Sequence, residues 1–248
     1  MKVNKTMRQI IILISLLAFL SSCDQKRDHE FKFAVSGEFK PFSYVDKKGN
    51  LTGFDVELGN IIANELQKTS VSVKYKFSGI IEGLKSGRFD AAVASHTITN
   101  ERKKQVNFSM PYYYSGPQVF SRIKKDSIKL QELEIAVSKG STYQKMARSY
   151  TSKVKVYDSD NIALEALSRG RHDAVITDRV TGAMALKKGL KVIPNQSLGE
   201  SKQGIALAKD SPELLSTINK ILIKLRNNGT LTNLSKKYFA NDITMAKK

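Results

Sequence analysis

The chain has 248 residues, of which 41% are hydrophobic and 26% are charged, and its formal net charge is +18. This composition predicts a packed core and argues against intrinsic disorder. A single cysteine excludes an intramolecular disulfide, and three scattered histidines exclude a Cys/His metal framework. We therefore expect no metal, and no motif in the chain indicates a cofactor.

The first 22 residues have the pattern of a secretory signal peptide, in which three cations precede an apolar run from Ile10 to Leu20. The sequence Leu-Ser-Ser-Cys that ends at Cys23 resembles a bacterial lipobox, where the chain is cleaved before the cysteine and the thiol is acylated. The alternative is an ordinary buried cysteine, but its position directly after the apolar run favours lipidation. Residues 23–30 are then a polar tether to a membrane.

Removal of the signal region, which holds three cations and no anion, leaves a net charge of roughly 18 − 3 = +15. Such a charge suits an anionic membrane surface or a nucleic acid. The lysines are spread along the chain, however, and no nucleic-acid-binding motif is present. We interpret the charge as a basic solvated surface and predict no nucleic-acid partner.

Strands and helices alternate in the first half of the chain. Phe31–Val35 predicts a strand, the glycine- and proline-containing segment 36–42 a loop, and the turn at 46–50 a hairpin. Asp55 is the predicted N-cap of a helix, and residues 71–77 alternate as a strand with one buried face. This order predicts a mostly parallel sheet with flanking helices.

One motif occurs twice, at residues 84–95 and 167–178, with its Leu, Gly, Arg, Asp and Ala in register. A repeat of this kind predicts two similar lobes. In both copies a helix ends at glycine, and a buried strand then ends in polar residues that include Ser95 and Asp178. Because open α/β sheets bind ligands at the carboxyl ends of their strands, we expect these two ends to face each other across a cleft.

The segment after Ser95 contains the candidate anion site of the first lobe. Thr99 or Asn100 is the predicted cap of a short helix, whose first amides point at an anion. Arg102, one turn into that helix, carries the two-pronged guanidinium that suits a carboxylate. The alternative, which spacing alone does not separate, is that Arg102 shares a basic helix face with the two lysines that follow it.

The second lobe has a comparable arrangement after the crossing predicted at 114–117. Ser141 and Thr142 stand at a predicted helix start, where they are either a simple N-cap or a carboxylate cradle. Asp178 ends the repeated strand and is either a cap for the next turn or a counter-ion for an ammonium group. Two crossings make a hinge, so ligand binding is expected to close the lobes.

Five motifs that follow one another along the chain together resemble the periplasmic polar-amino-acid-binding proteins of ABC transporters, bacterial solute-binding protein family 3. They are Ser36–Phe42, Gly53–Asp55, Ser86–Asp90, Thr97–Arg102 and Phe108–Tyr113. The resemblance extends from Phe31 to Phe239. It implies an α/β, two-lobed periplasmic-binding-protein-like fold, in which each lobe is a mostly parallel sheet flanked by helices and a two-strand hinge joins them. The expected first lobe comprises residues 31–114 and 206–248, and the second lobe comprises residues 115–205.

The resemblance also implies roles for individual residues. Arg102 and Thr97 would hold the α-carboxylate of the ligand from the first lobe, and Ser141 and Thr142 would hold it from the second. Asp178 would pair with the α-ammonium group.

Five further residues complete the expected ligand site. Ala94 and Ser95 would offer backbone carbonyl and hydroxyl groups, and Phe39 and Phe77 would stack on the aliphatic part of the ligand, although composition equally allows a core role for both rings. Ser36 occupies the first-loop position where relatives that bind basic amino acids or glutamine usually carry an acid. The absence of an acid there argues against basic ligands and against direct recognition of glutamine, although Glu38 could restore a cation site. Residues 140–143 and 238–242 resemble those of cystine-binding relatives. The expected order of ligands is neutral polar (glutamine, cystine, cysteine), then acidic, then basic.

These roles imply a lipid-anchored extracytoplasmic protein that captures a polar L-amino acid and delivers it to an ABC permease. We expect a monomer in the periplasm without catalytic residues, anchored to the inner membrane if the cell is Gram-negative, since Asp24 follows the lipidated cysteine. An exported cyclohexadienyl or arogenate dehydratase is one alternative, but its chemistry favours an acid where this chain has Thr181. The other alternative is an amino-acid sensor or an adhesin, which a signalling domain after the lobes would favour.

Overall fold

The computed structural model describes residues 29–124 and 128–246. The predicted signal peptide, Cys23 and most of the tether lie outside the described residues, so those predictions rest on the sequence. Within the two described ranges, no helix has both the length and the apolar character needed to cross a membrane.

A five-stranded sheet forms the centre of the first lobe. Strand β1 (Glu30–Val35) pairs in parallel with β5 (Thr69–Lys74) on one side and with β6 (Ala91–Ala92) on the other. Strand β15 (Ala206–Leu207) runs antiparallel between β6 and β7 (Asn107–Phe108). Four of the five strands therefore run in one direction.

Helices cover both faces of this sheet because alternate side chains of β1 point to opposite sides. Phe33 of β1 packs in the core beneath α1 (Phe54–Glu65), α7 (Pro212–Asn227) and α8 (Thr230–Phe239). Ala34 packs on the opposite face, in the core that includes Ile80 and Leu84 of α2 (Ile80–Lys85). The predicted strand at 31–35 is confirmed.

A small antiparallel sheet precedes α1 and lies beside the first strand end. It consists of β2 (Glu38–Phe39), β3 (Ser43–Val45) and β4 (Leu51–Thr52). The Asp46 carboxylate closes the turn between β3 and β4 by accepting hydrogen bonds from the Lys48 and Asn50 amides, at 2.8 Å each. The predicted hairpin is thus confirmed.

The second lobe contains a sheet of the same design. Strand β10 (Ile135–Ser138) pairs in parallel with β11 (Val154–Tyr157) and β12 (Ala174–Asp178). Strand β9 (Pro117–Ser121) runs antiparallel between β12 and β13 (Ile193–Ser197). Four strands again share one direction, and the reversed strand again occupies the fourth place in the sheet.

Three helices cover the second sheet. Helix α4 (Thr142–Tyr150) packs on one face, while α5 (Asp160–Ser168) and α6 (Arg179–Lys187) pack on the other. The predicted helix start at Ser141 is confirmed, because its hydroxyl accepts a hydrogen bond from a backbone amide of the first turn. Ser159 caps α5 in the same way.

In each sheet the reversed strand is the one that arrives from the other lobe. The chain enters the second sheet through β8 (Tyr113–Ser115) and β9, and it returns to the first through β14 (Ser201–Gln203) and β15. Strands β8 and β14 pair with each other antiparallel. The two-lobed α/β fold with a two-strand connection is therefore confirmed, with mixed sheets in which one crossing strand is reversed.

Two local predictions are wrong. Gly53 is the N-cap of α1, whereas Asp55 lies inside the first turn with 0% exposure and bonds to other elements of the lobe. The strand predicted to reach residue 77 ends at Lys74, and Phe77 begins a 3-10 turn that leads into α2.

Candidate ligand-binding cleft

A cleft of about 120 Å³ lies between the carboxyl ends of the two sheets. Both lobes contribute polar, charged and aromatic side chains to it. The lining residues are Ser36, Glu38, Phe39, Lys76, Phe77, Ser78, Ser95, Thr97, Arg102 and Tyr113 from the first lobe, and Ser138, Lys139, Ser141, Thr142, Tyr143, Asp158, Ser159 and Asp160 from the second.

Most of the residues that the sequence singled out come together in this cleft. Eight of the ten expected ligand residues line it, namely Ser36, Phe39, Phe77, Ser95, Thr97, Arg102, Ser141 and Thr142. The other two lie behind its walls. The Ala94 side chain packs in the core of the first lobe, and Asp178 is only 1% exposed.

The Arg102 side chain points into the cleft. Lys103, the last residue of helix α3 (Asn100–Lys103), and Lys104, the residue after it, are exposed instead. The Arg102 Nη1 donates a hydrogen bond to the Thr97 carbonyl at 3.0 Å, and its Nη2 donates one to the Gly140 carbonyl at 3.2 Å. Burial lowers the pKa of Arg102 to about 10. No ion pair in the described part of the chain includes this guanidinium, so a buried cation faces the cleft without an anion.

The start of α4 lies opposite Arg102. The Ser141 hydroxyl accepts a hydrogen bond from the Gln144 amide at 3.2 Å and donates one to the Ser138 carbonyl at 2.7 Å. Ser141 therefore acts as an N-cap. The first amides of a helix are unpaired and attract anions, so the cap and the guanidinium converge on the same region of the cleft.

The two expected stacking residues each have one aromatic partner inside the protein. Phe39 stacks on Phe42 with ring centroids 4.9 Å apart, and Phe77 stacks on His96 at 4.5 Å. The Arg102 guanidinium lies 5.6 Å from the Phe77 ring centroid. Both phenylalanines are half-buried and form part of the core and part of the cleft wall.

Three hydrogen bonds hold Ser95 in an uncommon left-handed backbone conformation, with φ 55°. The Ser95 hydroxyl donates to Asp55 at 2.8 Å, the Ser95 amide donates to the Tyr112 hydroxyl at 2.9 Å, and that hydroxyl donates to Asp55 at 2.8 Å. Burial raises the pKa of Asp55 to about 7. Sequence reasoning missed this support because Asp55 stands where a helix cap is expected.

Asp178 caps helix α6 and lies on the hinge side of the cleft. Its carboxylate accepts hydrogen bonds from the Ser115 hydroxyl at 2.7 Å, the Val180 amide at 2.8 Å and the Tyr143 hydroxyl at 3.4 Å. Burial raises its pKa. Of the two alternatives that the sequence left open for Asp178, the cap is present, and Tyr143 connects the carboxylate to the cleft wall.

A third buried acid, Asp160, lines the cleft directly, with 6% exposure. It accepts a hydrogen bond from the Thr177 hydroxyl at 2.6 Å, and burial raises its pKa to about 6. From the sequence, Ser159 and Asp160 are alternative caps for the helix that follows, and Ser159 fills that role. The one feature of the sequence that could have indicated a ligand role for Asp160 is its position at a helix start that follows a strand end.

Three contacts across the cleft show that the lobes are closed on each other. Besides the bond from Arg102 to Gly140, the Lys145 ammonium lies 2.7 Å from the Glu101 carboxylate, and the Asn161 amide donates to the Glu38 carbonyl at 3.1 Å. A ligand held between the walls would therefore contact both lobes at once.

Two lobes of one design, a two-strand connection and a polar cleft between strand ends define the class of two-lobed proteins that enclose a small solute. The model of the bacterial extracellular solute-binding proteins, family 3, matches residues 31–241, and the chain belongs to this family.

Similar proteins of known name support this assignment. The L-cystine-binding protein TcyJ of Escherichia coli (strain K12) is 32% identical over 219 residues, which cover 85% of this chain and 82% of the relative. An ancestral arginine-binding protein bound to glutamine is 34% identical with a TM-score of 0.79, covering 86% of this chain and 99% of the other. The ancestral amino acid-binding protein AncCDT-1, a precursor of cyclohexadienyl dehydratase, is 31% identical with a TM-score of 0.80, covering 86% and 96%.

Proposed function

We propose that this protein is the extracytoplasmic binding component of an ABC transporter, which captures a polar L-amino acid between its lobes and delivers it to a membrane permease. The observation that carries the proposal is Arg102, a buried guanidinium at the cleft wall opposite the start of α4, which forms no ion pair with any acid that the structure describes. A guanidinium binds a carboxylate through two parallel hydrogen bonds, and the shielded cleft makes such bonds strong.

The proposed binding mode divides an amino acid between the two lobes. Arg102 and Thr97 bind the α-carboxylate from one side, and Ser141 and Thr142 bind it from the other. Asp178 neutralises the α-ammonium group. Because Tyr143 lies between Asp178 and the cleft wall, this last role requires the tyrosine hydroxyl to exchange its hydrogen bond for one with the ligand.

Neutral polar ligands such as glutamine and cystine are the first candidates. The Ser36 position itself carries no acid, although Glu38 of the same loop lines the cleft. Relatives of this chain include a protein named for L-cystine and a structure with bound glutamine. We further propose a monomer that is held at the periplasmic side of a membrane by a lipidated Cys23, with the lobe boundaries at residues 114/115 and 205/206.

A dehydratase is the alternative that the likeness to AncCDT-1 raises. In this chain Thr181, one turn after Asp178, is buried and its hydroxyl has no hydrogen-bond partner among the described residues. Glu38, an acid that lines the cleft, is ion-paired with Lys74 at 2.9 Å and half exposed. Neither group matches a buried general acid, so the binding function is favoured.

A thermal-shift panel on the mature chain with Cys23 replaced, refolded to remove carried ligand, tests the proposal. The panel contains the twenty amino acids, cystine, prephenate and arogenate. A ligand at about 100 times its dissociation constant stabilises by about 2.7 kcal/mol, and each kcal/mol moves the midpoint by about 2–4 °C in a chain of this size.

We expect a clear shift with one amino acid or one small group of them. The shift should disappear in Arg102→Ala and Asp178→Asn and persist in Lys104→Ala, which removes an exposed cation from the same segment. Absence of a shift with every amino acid would contradict the proposal, and turnover of prephenate or arogenate would establish the enzyme instead.

A further inference from the structure

The second-lobe wall of the cleft has two chemically different ends, formed by the starts of α4 and α5, which pack on opposite faces of the sheet. Successive side chains of a strand point to opposite faces, and Thr177 and Asp178 are neighbours on β12. Asp178 points to the hinge and α4, where it contacts Ser115 and Tyr143. Thr177 points the other way, to the start of α5, where its hydroxyl bonds to Asp160.

The end near α4 contains the groups assigned above to the amino-acid backbone of the ligand. The end near α5 contains a different set, in which Asp158, Ser159 and Asp160 of the second lobe meet Glu38 and Phe39 of the first. The bond from the Asn161 amide to the Glu38 carbonyl joins the two lobes at this end. A ligand whose backbone lies at the α4 end therefore directs its side chain towards Asp160.

Asp160 is a buried carboxylate with unused acceptor capacity. A carboxylate accepts about four hydrogen bonds, and the donors that contact this one are the Thr177 and Ser138 hydroxyls and a backbone amide at the helix start. No cation lies within ion-pair distance of it anywhere in ranges 29–124 and 128–246. Burying a carboxylate costs free energy unless hydrogen-bond donors or a cation compensate it. The cleft is the side from which a further donor can reach Asp160.

We propose that Asp160 is the specificity-determining residue for the ligand side chain, and that the ligand is an L-amino acid whose side chain ends in an N–H donor, either a protonated amine or an amide. This inference rests on the proposed function. The acid that the first loop lacks at Ser36 is then supplied by the second lobe, from the opposite wall of the cleft. Amines and amides bind at Asp160, whereas a carboxylate at the same place is repelled.

Isothermal titration calorimetry with two matched ligand pairs tests this role on the refolded mature chain with Cys23 replaced. Glutamine and glutamate differ only in the terminal group, and lysine and norleucine differ by the terminal amine. We expect the donor-bearing member of at least one pair to bind ten times or more tightly than its counterpart. Cystine, which carries a second ammonium group, is measured alongside.

Asp160→Asn should reduce the preference for the donor-bearing ligand to threefold or less. The affinity of this variant for norleucine or glutamate should stay the same or rise. Glu165→Gln, which removes an exposed acid from the same helix, should leave the preference unchanged. A selectivity ratio is the informative readout, because a merely structural role for Asp160 would weaken both members of a pair equally.

Three outcomes would overturn the inference. They are a wild-type preference for glutamate and norleucine, an unchanged preference in Asp160→Asn, and an equal loss for both members of each pair. If Asp160→Asn still binds amino acids with unaltered selectivity while Arg102→Ala does not bind them, the role of Asp160 is refuted and the proposed function stands. Absence of binding to any amino acid would refute both.

Discussion

At the scale of single residues, three buried carboxylates in and behind the walls of the cleft form no ion pair within residues 29–124 and 128–246. Hydroxyl and amide groups surround Asp55, Asp160 and Asp178 instead, and burial raises the pKa of each. Such groups bind a proton more tightly in the folded protein than in the unfolded chain. The stability of the unliganded protein should therefore depend on pH in a defined direction.

Asp55 gives the clearest case, because its pKa is about 7 in the folded protein against 3.8 for an unperturbed carboxyl. Its contribution to stability is fully present below about pH 4 and is lost as the pH rises to about 7, since the folded state keeps a proton that the unfolded state releases. Relative to Asp55→Asn, the wild-type free energy of unfolding should decline by on the order of 1 kcal/mol per pH unit in that window.

Urea titrations at several pH values between 4 and 8 measure this difference. Asp210→Asn, which alters an exposed carboxyl of the same lobe, is the matched control and should follow the wild-type curve. Parallel curves for wild type and Asp55→Asn would show that the Asp55 carboxylate is ionised in the folded protein across the whole range.

At the scale of elements, the turn between β10 and α4 brings the second lobe against the first. Gly140 has φ +73°, and a Cβ atom placed on it would lie 2.9 Å from the Ser78 side chain across the cleft. Only glycine combines this backbone conformation with so close an approach. The turn that carries the candidate carboxylate cradle is thus also a point of contact for closure.

Gly140→Ala should weaken ligand binding tenfold or more by holding the lobes apart. Gly87→Ala is a close control, because Gly87 has φ +65° but nothing lies within 4 Å of the added atom. Both substitutions incur backbone strain on the order of 1 kcal/mol, so both should lower the thermal midpoint similarly. Calorimetry and thermal melts separate the two effects. Equal affinities in the two variants would mean that this contact does not limit closure.

At the scale of the whole molecule, closure is held by contacts that exist only between the lobes. The pair formed by Glu101 on α3 and Lys145 on α4 has its charged atoms 2.7 Å apart, and both side chains are well exposed. An exposed pair of this kind contributes little to stability and is weakened by salt. The closed state, and with it the apparent affinity, should be slightly sensitive to ionic strength.

Glu101→Lys should raise the apparent dissociation constant by about twofold to fivefold at low salt. The double variant Glu101→Lys with Lys145→Glu restores opposite charges and should recover most of the loss. Titrations at low and high salt measure both effects. If the affinity lost in Glu101→Lys is the same at high salt and is not recovered in the double variant, this ion pair does not stabilise the closed state.

Local patterns in the sequence were sufficient for the architecture. The duplicated motif predicted two lobes, alternation and turn chemistry predicted the strands and the hairpin, and the segment around Arg102 predicted the candidate anion site. These predictions succeeded because each depends on residues a few positions apart, whose spacing decides which side chains share a face.

The positions of the acids depended instead on contacts between distant parts of the chain. Asp55 lies 40 residues from its partner Ser95, Asp160 lies 17 residues from Thr177, and Asp178 lies 63 residues from Ser115. From the amino-acid sequence one reads a helix cap at each of these acids with equal plausibility. Only the packing of strands and helices decides which carboxylate lines the cleft and which lies behind it. Packing does so because it sets the burial and the hydrogen-bond donors of each group.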